Sequence, residues 1–377
     1  MTDARPAGCE AAQPGDAVAR LRLIRTRGVG PVTYRQLLAR FGDAPAALDA
    51  LPQLARRGGG APPTVADART AERELAAIAR ADARPVFVDD PDYPPLLREI
   101  DTPPPMLVVR GDPGLARRPC VAIVGARNAS AAACRFAREL AHGLADQGVT
   151  VASGLARGID TAAHVGSLPG TIGVIASGID IAFPPENARL QEEIATRGLL
   201  LAEQPPGTQP LARHFPTRNR IIAGVAQGTV VVEAAPRSGS LITARLAGEA
   251  GREVMAVPGH PSDPRAQGCN GLIRDGATLI QNAGDVLELV RPIGVGFEQV
   301  GAVRAPATPF TSAPPADPTE RERDRIAGLL GPVPVSVDEL VRQAGTPPAV
   351  VQLVLLELEL AGRLERHAGG RVSLCAE

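Results

Sequence analysis

Between residues 120 and 257 the chain repeats one pattern: an apolar run, a turn containing Gly or Ser, and an amphipathic stretch. The first unit has its apolar run at 121–124, and its amphipathic stretch carries Phe136, Leu140 and Leu144 four residues apart. A continuous apolar run is typical of a strand buried on both faces of a parallel sheet, and the four-residue spacing is typical of a helix. Strand–turn–helix units repeated in this way predict an α/β fold with a Rossmann-like, doubly wound and mostly parallel sheet.

The same pattern extends this sheet on both sides of the first unit. Further strands are predicted at 85–88, 107–111, 149–152, 171–176, 199–202, 229–233 and 253–257. The helices that follow the strands are predicted to end at Gln147, Ser167, Arg197 and Ala250, with one more helix after His214. We therefore expect a Rossmann-like domain over residues 85–290.

A helical module is predicted at residues 18–84, where Gly28-Val29-Gly30-Pro31 separates two helical patterns. A proline at this place suits the first turn of the second helix. The pattern resembles a helix-hairpin-helix or SAM-like module, in which backbone N–H groups of the hairpin can meet a DNA phosphate. The alternative is a small helical packing module, because short Gly turns between helices are common.

A winged helix is predicted at residues 319–377, where three helical patterns precede a hairpin at Gly369-Gly370. Its helices are predicted at 319–330, 337–343 and 348–361. The third helix is apolar and acidic, with Leu353, Leu356 and Glu357. A helix that reads the DNA groove is expected to be basic, so this composition favours packing or protein contact instead.

Two segments have the composition of unfolded chain. Residues 1–17 are expected to be a disordered leader, and the Pro-, Ala- and Gly-rich residues 291–318 a linker. The N-terminus lacks the basic-then-apolar pattern of a signal peptide, and no apolar run is long enough to span a bilayer. We therefore expect a cytoplasmic protein with no membrane partner.

The charged residues exclude several kinds of site. The formal net charge is −1, so any polyanion must be held by a local patch. The sequence contains no lysine, which excludes a Walker lysine and a Schiff-base lysine. The five cysteines contain no C-x-x-C and the five histidines have no metal-ligand spacing, so neither a metal nor a cofactor is expected.

Three turns are suited to binding phosphate. In an open parallel sheet, ligands bind beyond the carboxyl ends of the strands, where helix N-termini point. The turns are Gly125-Ala126-Arg127, Ser153-Gly154, and Ser238-Gly239-Ser240 with Thr243 one turn later. Each turn alone is most simply an ordinary connection of this fold. Together they indicate a site for a phosphate chain.

The stretch that begins at His214 adds a ring and more polar groups. Phe215, Arg218, Asn219 and Arg220 combine an aromatic ring, two guanidinium groups and an amide, the side chains that hold phosphates and stack on bases. Phe215 has two interpretations, a core residue or an exposed ring that stacks on a base. With seven Phe, two Tyr and no Trp in the chain, a platform of several rings is not expected.

Signatures of catalysis are missing from these motifs. The first turn reads Gly125-Ala126-Arg127-Asn128, which is not the G-x-G-x-x-G of a dinucleotide site. Ser153, Ser238 and Ser240 lack a G-x-S-x-G frame and an evident partner histidine. We therefore expect a binding protein without enzymatic activity.

Several motifs, taken together, resemble the DNA-processing protein A (DprA/Smf) family. The resemblance covers residues 85–290 most strongly, and the flanking modules are similar to those of longer family members. The motifs are Gly125-Ala126-Arg127, Ser153-Gly154 with Ala156, Gly158-Ile159-Asp160 and Ala163-His164, Gly178 with Asp180, Pro184 and Asn187, His214-Phe215 with Arg218-Asn219-Arg220, and Ser238-Gly239-Ser240-Leu241 with Thr243-Ala244.

The resemblance implies a protein that binds and protects single-stranded DNA in natural transformation, helps to load RecA and forms a homodimer through its Rossmann-like domain. It also implies roles for residues: Arg127 clamps a phosphate, Phe215 stacks on a base, and the backbones of the three turns line the groove. Family members carry a lysine shortly before the His-Phe pair. Here Ala212 and Arg213 stand in that place, so the contact is lost or shifts to Arg213.

Two other functions remain open. The related cytokinin-activating phosphoribohydrolases, which are nucleotide hydrolases, carry P-G-G-x-G-T-x-x-E where this chain begins with Pro236. The catalytic glutamate of that motif has no counterpart, because Ala244 and Arg245 follow Thr243. The second alternative is a protein-interaction scaffold that uses the two flanking modules.

Overall fold

The computed structural model describes residues 14–290, 317–367 and 369–375. Residues 1–13 of the predicted leader and 291–316 of the predicted linker lie outside the described residues. The first helix begins at Pro14, so the prediction that residues 14–17 are disordered is wrong.

The elements agree with most of the predicted ones, with different ends. The helices are α1 (Pro14–Arg25), α2 (Pro31–Phe41), α3 (Ala44–Arg57), α4 (Ala68–Arg80), α5 (Pro95–Arg98), α6 (Ala131–Asp146), α7 (Ile159–Ser167), α8 (Ala188–Arg197), α9 (His214–Gly224), α10 (Gly239–Glu249), α11 (Gln267–Arg274), α12 (Ala283–Val290), α13 (Glu320–Gly328), α14 (Val337–Ala344) and α15 (Pro348–Leu360). The strands are β1 (Arg84–Phe87), β2 (Met106–Gly111), β3 (Cys120–Gly125), β4 (Thr150–Ser153), β5 (Thr171–Gly178), β6 (Leu199–Gln204), β7 (Gly228–Val232), β8 (Glu253–Ala256), β9 (Thr278–Leu279), β10 (Val335–Ser336), β11 (Leu364–His367) and β12 (Arg371–Leu374).

The described residues form two compact units, one made of residues 14–73 and 317–375 and the other of residues 74–290. In the described part of the chain, no helix has the length and apolar character that crossing a membrane requires.

A nine-stranded sheet organises the described residues of the larger unit. Its strand order is β1-β2-β6-β5-β4-β3-β7-β8-β9, and the strands from β6 to β9 in this order run parallel. Strands β1 and β2 form an antiparallel edge beside β6. The prediction of a doubly wound, mostly parallel sheet is therefore confirmed.

One core cluster shows why the apolar runs become strands. Val121 and Ile123 of β3 point to the same face of the sheet and pack against Leu140 and Leu144 of α6. Val286 of α12 completes this layer, although no element was predicted between residue 257 and the winged helix. Burial of these side chains is the main stabilising term, at about 25 cal/mol per Å² of apolar surface.

The strand order places a crevice at one edge of the sheet. The chain leaves β3 for β4 on one side and later enters β7 on the other side, so the order reverses between β3 and β7. Gly125 ends β3 and pairs with Val232, which ends β7. The loops that follow these two strands therefore diverge at the carboxyl edge, the place where such sheets bind ligands.

In the smaller unit, the third helix of the winged helix is an internal packing element. One side of α15 joins a core with Ile326 and Leu340, and the helix also packs against α3 and α2 of the N-terminal module. The side chain of Glu357 is 1% exposed and accepts hydrogen bonds from Arg323 Nε at 2.7 Å and Nη2 at 3.0 Å. The acidic residue that argued against DNA reading is thus half of a buried ion pair.

Glycines allow the close approach of α3 to α15. A Cβ on Gly58 would overlap the carbonyl oxygen of Glu357, and one on Gly60 would lie 2.6 Å from the Cα of Ala361. The backbone of Gly58 has φ −72° and ψ −1°, which an alanine adopts without strain. The contact, and not the backbone conformation, therefore requires glycine at this position.

This contact leads to a test of the packing of α15. Gly58→Ala should lower the free energy of unfolding of the smaller unit by about 1–3 kcal/mol, because the added methyl overpacks the contact. Gly328→Ala is the matched control, since a Cβ there meets no atom within 4 Å. Urea unfolding followed by circular dichroism measures both. If the two variants prove equally stable, α15 does not pack against Gly58 in solution.

Candidate nucleic-acid interface

A cavity of about 640 Å³ opens where the strand order reverses. The loop after β3, the first turns of α9 and the start of α10 form its walls. Arg127, Arg218, Arg237 and Arg265 are among the lining residues, against one carboxylate, Asp160. A chain with a net charge of −1 therefore concentrates positive charge at this edge.

The cavity brings together most of the residues that the sequence analysis selected. They are Gly125, Arg127, Phe215, Arg218, Asn219, Ser238, Gly239, Ser240 and Thr243. It does not bring in Ser153, Gly154, His214 or Arg220, which are absent from its walls.

Arg127 and Phe215 form a pair at the mouth of the cavity. Arg127 is exposed, and its guanidinium carbon lies 5.0 Å from the centre of the Phe215 ring. Phe215 is half-buried, one turn before Arg218 on α9. Phe215 is therefore not a core residue, and its ring is in cation–π contact with the arginine.

A second ring, which was not among the predicted site residues, lies beside Phe215. The centres of the Phe183 and Phe215 rings are 5.8 Å apart, and their planes are tilted by 55°. The Phe183 side chain is 45% exposed. Phe183 was not predicted as a site residue, because Pro184 and Pro185 indicate only a turn there. No neighbouring residue in the sequence indicates that the two rings are in contact.

Arg218 holds the wall of the cavity together and does not reach into solvent. Its side chain is buried, and Nη1 donates to the carbonyl oxygens of Gly154 at 2.5 Å and Val174 at 2.7 Å. Burial lowers the pKa of Arg218 to about 10, against the opposing effect of Asp160. The group stays charged at neutral pH, and its field reaches the cavity. Both hydrogen bonds come from Nη1, whereas Nε is buried and has no hydrogen-bond partner among the described residues.

Asp160 is a buried carboxylate that orders the second turn. It accepts hydrogen bonds from the backbone N–H groups of Gly154 at 3.2 Å and Ala156 at 3.3 Å. Burial raises the pKa of Asp160, while the nearby Arg218 opposes this shift. The Ser153-Gly154 turn is thus held by internal bonds, and its amides are not free for a phosphate.

Three other predicted contacts also have internal roles. Ser153 is buried and donates from Oγ to Ile123 O at 2.6 Å. His214 is buried, and its Nδ1 accepts from Leu211 N at 3.3 Å. Arg220 donates from Nη1 to Thr102 O at 2.8 Å and forms an ion pair with Glu203. These bonds use the polar groups that were expected to face a ligand.

Close contacts require glycine in two of the three turns, but not in the third. A Cβ on Gly125 would overlap the carbonyl oxygen of Val232, and one on Gly154 would overlap the guanidinium of Arg218. Gly239 is different, because a Cβ there meets no atom within 4 Å. Only the third turn therefore has open space above its glycine for a ligand backbone.

The start of α10 can hold an anion in this open space. Ser238 caps the helix, and its Oγ lies 2.8 Å from Oγ of Ser240. The first N–H groups of a helix lack intrahelical acceptors and carry the positive end of its dipole. Asn219 braces the turn from α9, since Nδ2 donates to Gly239 O at 3.3 Å.

Within the described residues no cluster of three His, Cys, Asp or Glu side chains could hold a metal ion. His164, which belongs to the second motif, is fully buried, and its Nδ1 lies 2.8 Å from Oγ1 of Thr171. Burial and the positive charge of Arg218 lower the pKa of His164 to about 3. This histidine is therefore neutral at physiological pH.

Comparisons with known proteins cover most of the described chain. A sequence model of the DNA recombination-mediator protein A family matches residues 84–291. A DprA-like N-terminal HHH domain matches residues 14–77, and a DprA winged helix domain matches residues 310–370.

Individual relatives agree with these matches. Protein Smf of a Synechocystis species is 36% identical over 310 residues, which are 75% of this chain and 78% of the relative. The structure of DNA processing protein A from Streptococcus pneumoniae is 41% identical with a TM-score of 0.55, covering 59% of this chain and 77% of that one. The Helicobacter pylori protein, whose structure describes a single-stranded DNA binding mode, is 28% identical with a TM-score of 0.51, covering 55% and 96%.

The burial of His164 generates a prediction for the pH dependence of stability. In the unfolded chain the pKa of a histidine is about 6.5, so between this pH and about 3 the unfolded state binds one more proton than the folded state. The stabilisation is fully present above pH 6.5 and is lost as the pH falls, by up to about 1.4 kcal/mol per pH unit. Urea unfolding at pH 5 to 7 should show a shallower slope for His164→Gln.

The difference between the two slopes of stability against pH isolates this histidine, because Asp160 and all other carboxylates are present in both proteins. Parallel slopes for the wild type and the variant would contradict a buried neutral His164.

Proposed function

The chain belongs to the DNA recombination-mediator protein A family, and on that premise we propose that it binds single-stranded DNA at the cavity between β3 and β7. The pairing of Arg127 with Phe215 at the cavity mouth is the observation that supports this best. A guanidinium pairs with a phosphate, and a ring face stacks on a base of any sequence. The bases of a duplex are already stacked and paired, so they cannot reach the ring.

The free chain holds Arg127 and Phe215 against each other, and we propose that DNA exchanges these partners. A base takes the face of Phe215, and the released guanidinium of Arg127 takes a neighbouring phosphate. The start of α10 takes a second phosphate through the backbone N–H group of Gly239, since that of Ser240 donates to Oγ of Ser238. Arg237 at the wall adds positive charge without reading sequence, whereas the charge of Arg265 is offset by its ion pair with Asp263.

Further parts of the proposal rest on the family resemblance of the motifs. The protein protects the bound strand and loads RecA onto it during natural transformation and recombination. It acts in the cytoplasm as a homodimer formed through the Rossmann-like unit. Arg213, exposed at the start of α9, takes the role of the family's missing lysine.

We also propose that the cavity binds without catalysing a reaction. The glutamate of the phosphoribohydrolase motif has no counterpart after Thr243. Incubation of the chain with AMP and analysis of released adenine by chromatography should therefore show no turnover above background. Release that depends on Asp160, the buried carboxylate of the cavity, would favour the hydrolase function instead.

The exchange of partners predicts the behaviour of a double-mutant cycle. Arg127→Ala should weaken binding to strands of any sequence and reduce the slope of log K against log salt by about 0.7 to 1, the value for one phosphate. Phe215→Ala should cost about 1–3 kcal/mol with little change of slope, because stacking releases no counterions.

The double variant should lose more affinity than the two single losses added together, by about 0.5–1 kcal/mol. In the wild type, binding must first break the cation–π contact, which costs free energy. Each single substitution removes this cost, so each single loss of affinity is smaller by that amount. The double variant removes the cost only once, so its loss exceeds the sum. Arg118→Ala is the control, an exposed arginine two residues before the start of β3, at the opposite end of that strand from the cavity. A double loss smaller than the sum would mean that the two side chains do not exchange partners.

A further inference from the structure

We propose that Phe183 forms a second base-stacking position, so that the bound strand runs from the β3/β7 cavity along the carboxyl edge toward β5 and β6. The inference rests on the proposed binding of single-stranded DNA. It adds a residue that the motifs did not select and a direction for the strand on the protein.

The position of Phe183 in the sheet gives the direction. Phe183 lies in the loop that follows β5, and β5 is two strands from β3 on the side away from β7. Phe215 lies between the two places, because α9 both lines the cavity and packs on β5. The two rings, 5.8 Å apart, therefore continue the cavity along the edge in this direction.

The exposure of Phe183 distinguishes it from a core ring. Its side chain is 45% exposed, and Leu211, in the loop after β6, is also 45% exposed. An aromatic pair in a core would cover both rings, since each buries a large apolar area. Here Phe215 is half-buried and Phe183 offers a face to water, the arrangement that a stacking partner completes.

The loop that carries Phe183 is held in place at both ends. Before the ring, Ser177 Oγ donates to Ile181 O at 2.7 Å, and Asp180 accepts from Gly207 N at 2.8 Å. After the ring, Asn187 Nδ2 donates to Leu155 O at 2.9 Å and to Thr161 Oγ1 at 2.9 Å. A ring on a braced loop loses little freedom when a base stacks on it.

Charge along the same edge suits a phosphate backbone. Arg213 is exposed at the start of α9, and Arg157, after β4, is exposed in an ion pair with Glu186. Arg157 can exchange this surface partner for a phosphate, because exposed ion pairs contribute little to stability. Rings and arginines interleaved in this way match the usual composition of single-strand channels.

The test uses the full chain, oligothymidylates of about 4 to about 16 nucleotides, three substitutions of Phe183, a control at Leu279, and Phe215→Ala. Phe183→Ala should weaken binding by roughly 5-fold or more, and only for strands long enough to extend past Phe215. Phe183→Trp should bind at least as well as the wild type, whereas Phe183→Leu, which keeps an apolar side chain but no ring, should bind like the alanine variant. Leu279→Ala is the control, a 43% exposed residue that ends β9 at the other edge of the sheet.

The outcomes separate this inference from the proposed function. If Phe215→Ala weakens binding while Phe183→Ala binds every length like the wild type, the second position is wrong and the cavity stands. If Phe183→Leu binds like the wild type, the contact is apolar and not a stack, which also overturns the inference. If the wild-type protein does not bind the oligonucleotides at all, the proposed function itself is wrong. Wild-type affinity in Phe183→Trp, together with a loss in both Phe183→Ala and Phe183→Leu, assigns the loss to the missing ring.

Discussion

The cavity depends on one buried guanidinium. Arg218 donates to the carbonyl oxygens of Gly154, directly after β4, and of Val174, within β5, and this fixes α9 against the carboxyl edge of the sheet. Removing a charged group from water costs several kcal/mol unless the group is paired and hydrogen-bonded. Two short hydrogen bonds from Nη1 and the nearby Asp160 offset part of this cost, while Nε has no partner among the described residues. Phe215 lies one turn earlier on the same helix. The position of the ring beside Arg127 is therefore a consequence of the Arg218 anchor.

The residues of the stretch that begins at His214 have two kinds of role: most are structural, and Phe215 is left for a ligand. His214, Arg218 and Arg220 form hydrogen bonds inside the protein, whereas Phe215 faces the cavity. The Ser153-Gly154 turn is likewise structural, because Asp160 and Arg218 bond to its backbone groups. Arg265 is paired with Asp263, so Arg127, Arg237 and the start of α10 are the groups left for a polyanion. These groups give a chain of almost no net charge a concentrated positive edge.

Much of this fold could be predicted from local pattern, because a parallel strand buried on both faces must be an apolar run such as 121–124. The two-residue strand β9 has no such run, and Gly268 and Gly271 interrupt the pattern of α11, so both escaped prediction. The residues around the cavity were predictable as a set, since loops at the carboxyl ends must meet. Their individual roles could not be predicted, because the sequence does not distinguish an arginine that binds a phosphate from one that anchors a helix. Phe183 and the burial of Glu357 depend on partners distant in the sequence.

In the proposed function the cavity binds unpaired nucleic acid, through the charge of its phosphates and through stacking on its bases. The most direct test is the affinity of the full chain for one oligonucleotide as a single strand and as a duplex, each measured over a series of salt concentrations. We predict that the single strand binds more tightly than the duplex at every salt concentration. Part of its affinity should persist at high salt, because base stacking releases no counterions. Equal affinity for both forms would contradict the account, since charge alone would then explain the binding.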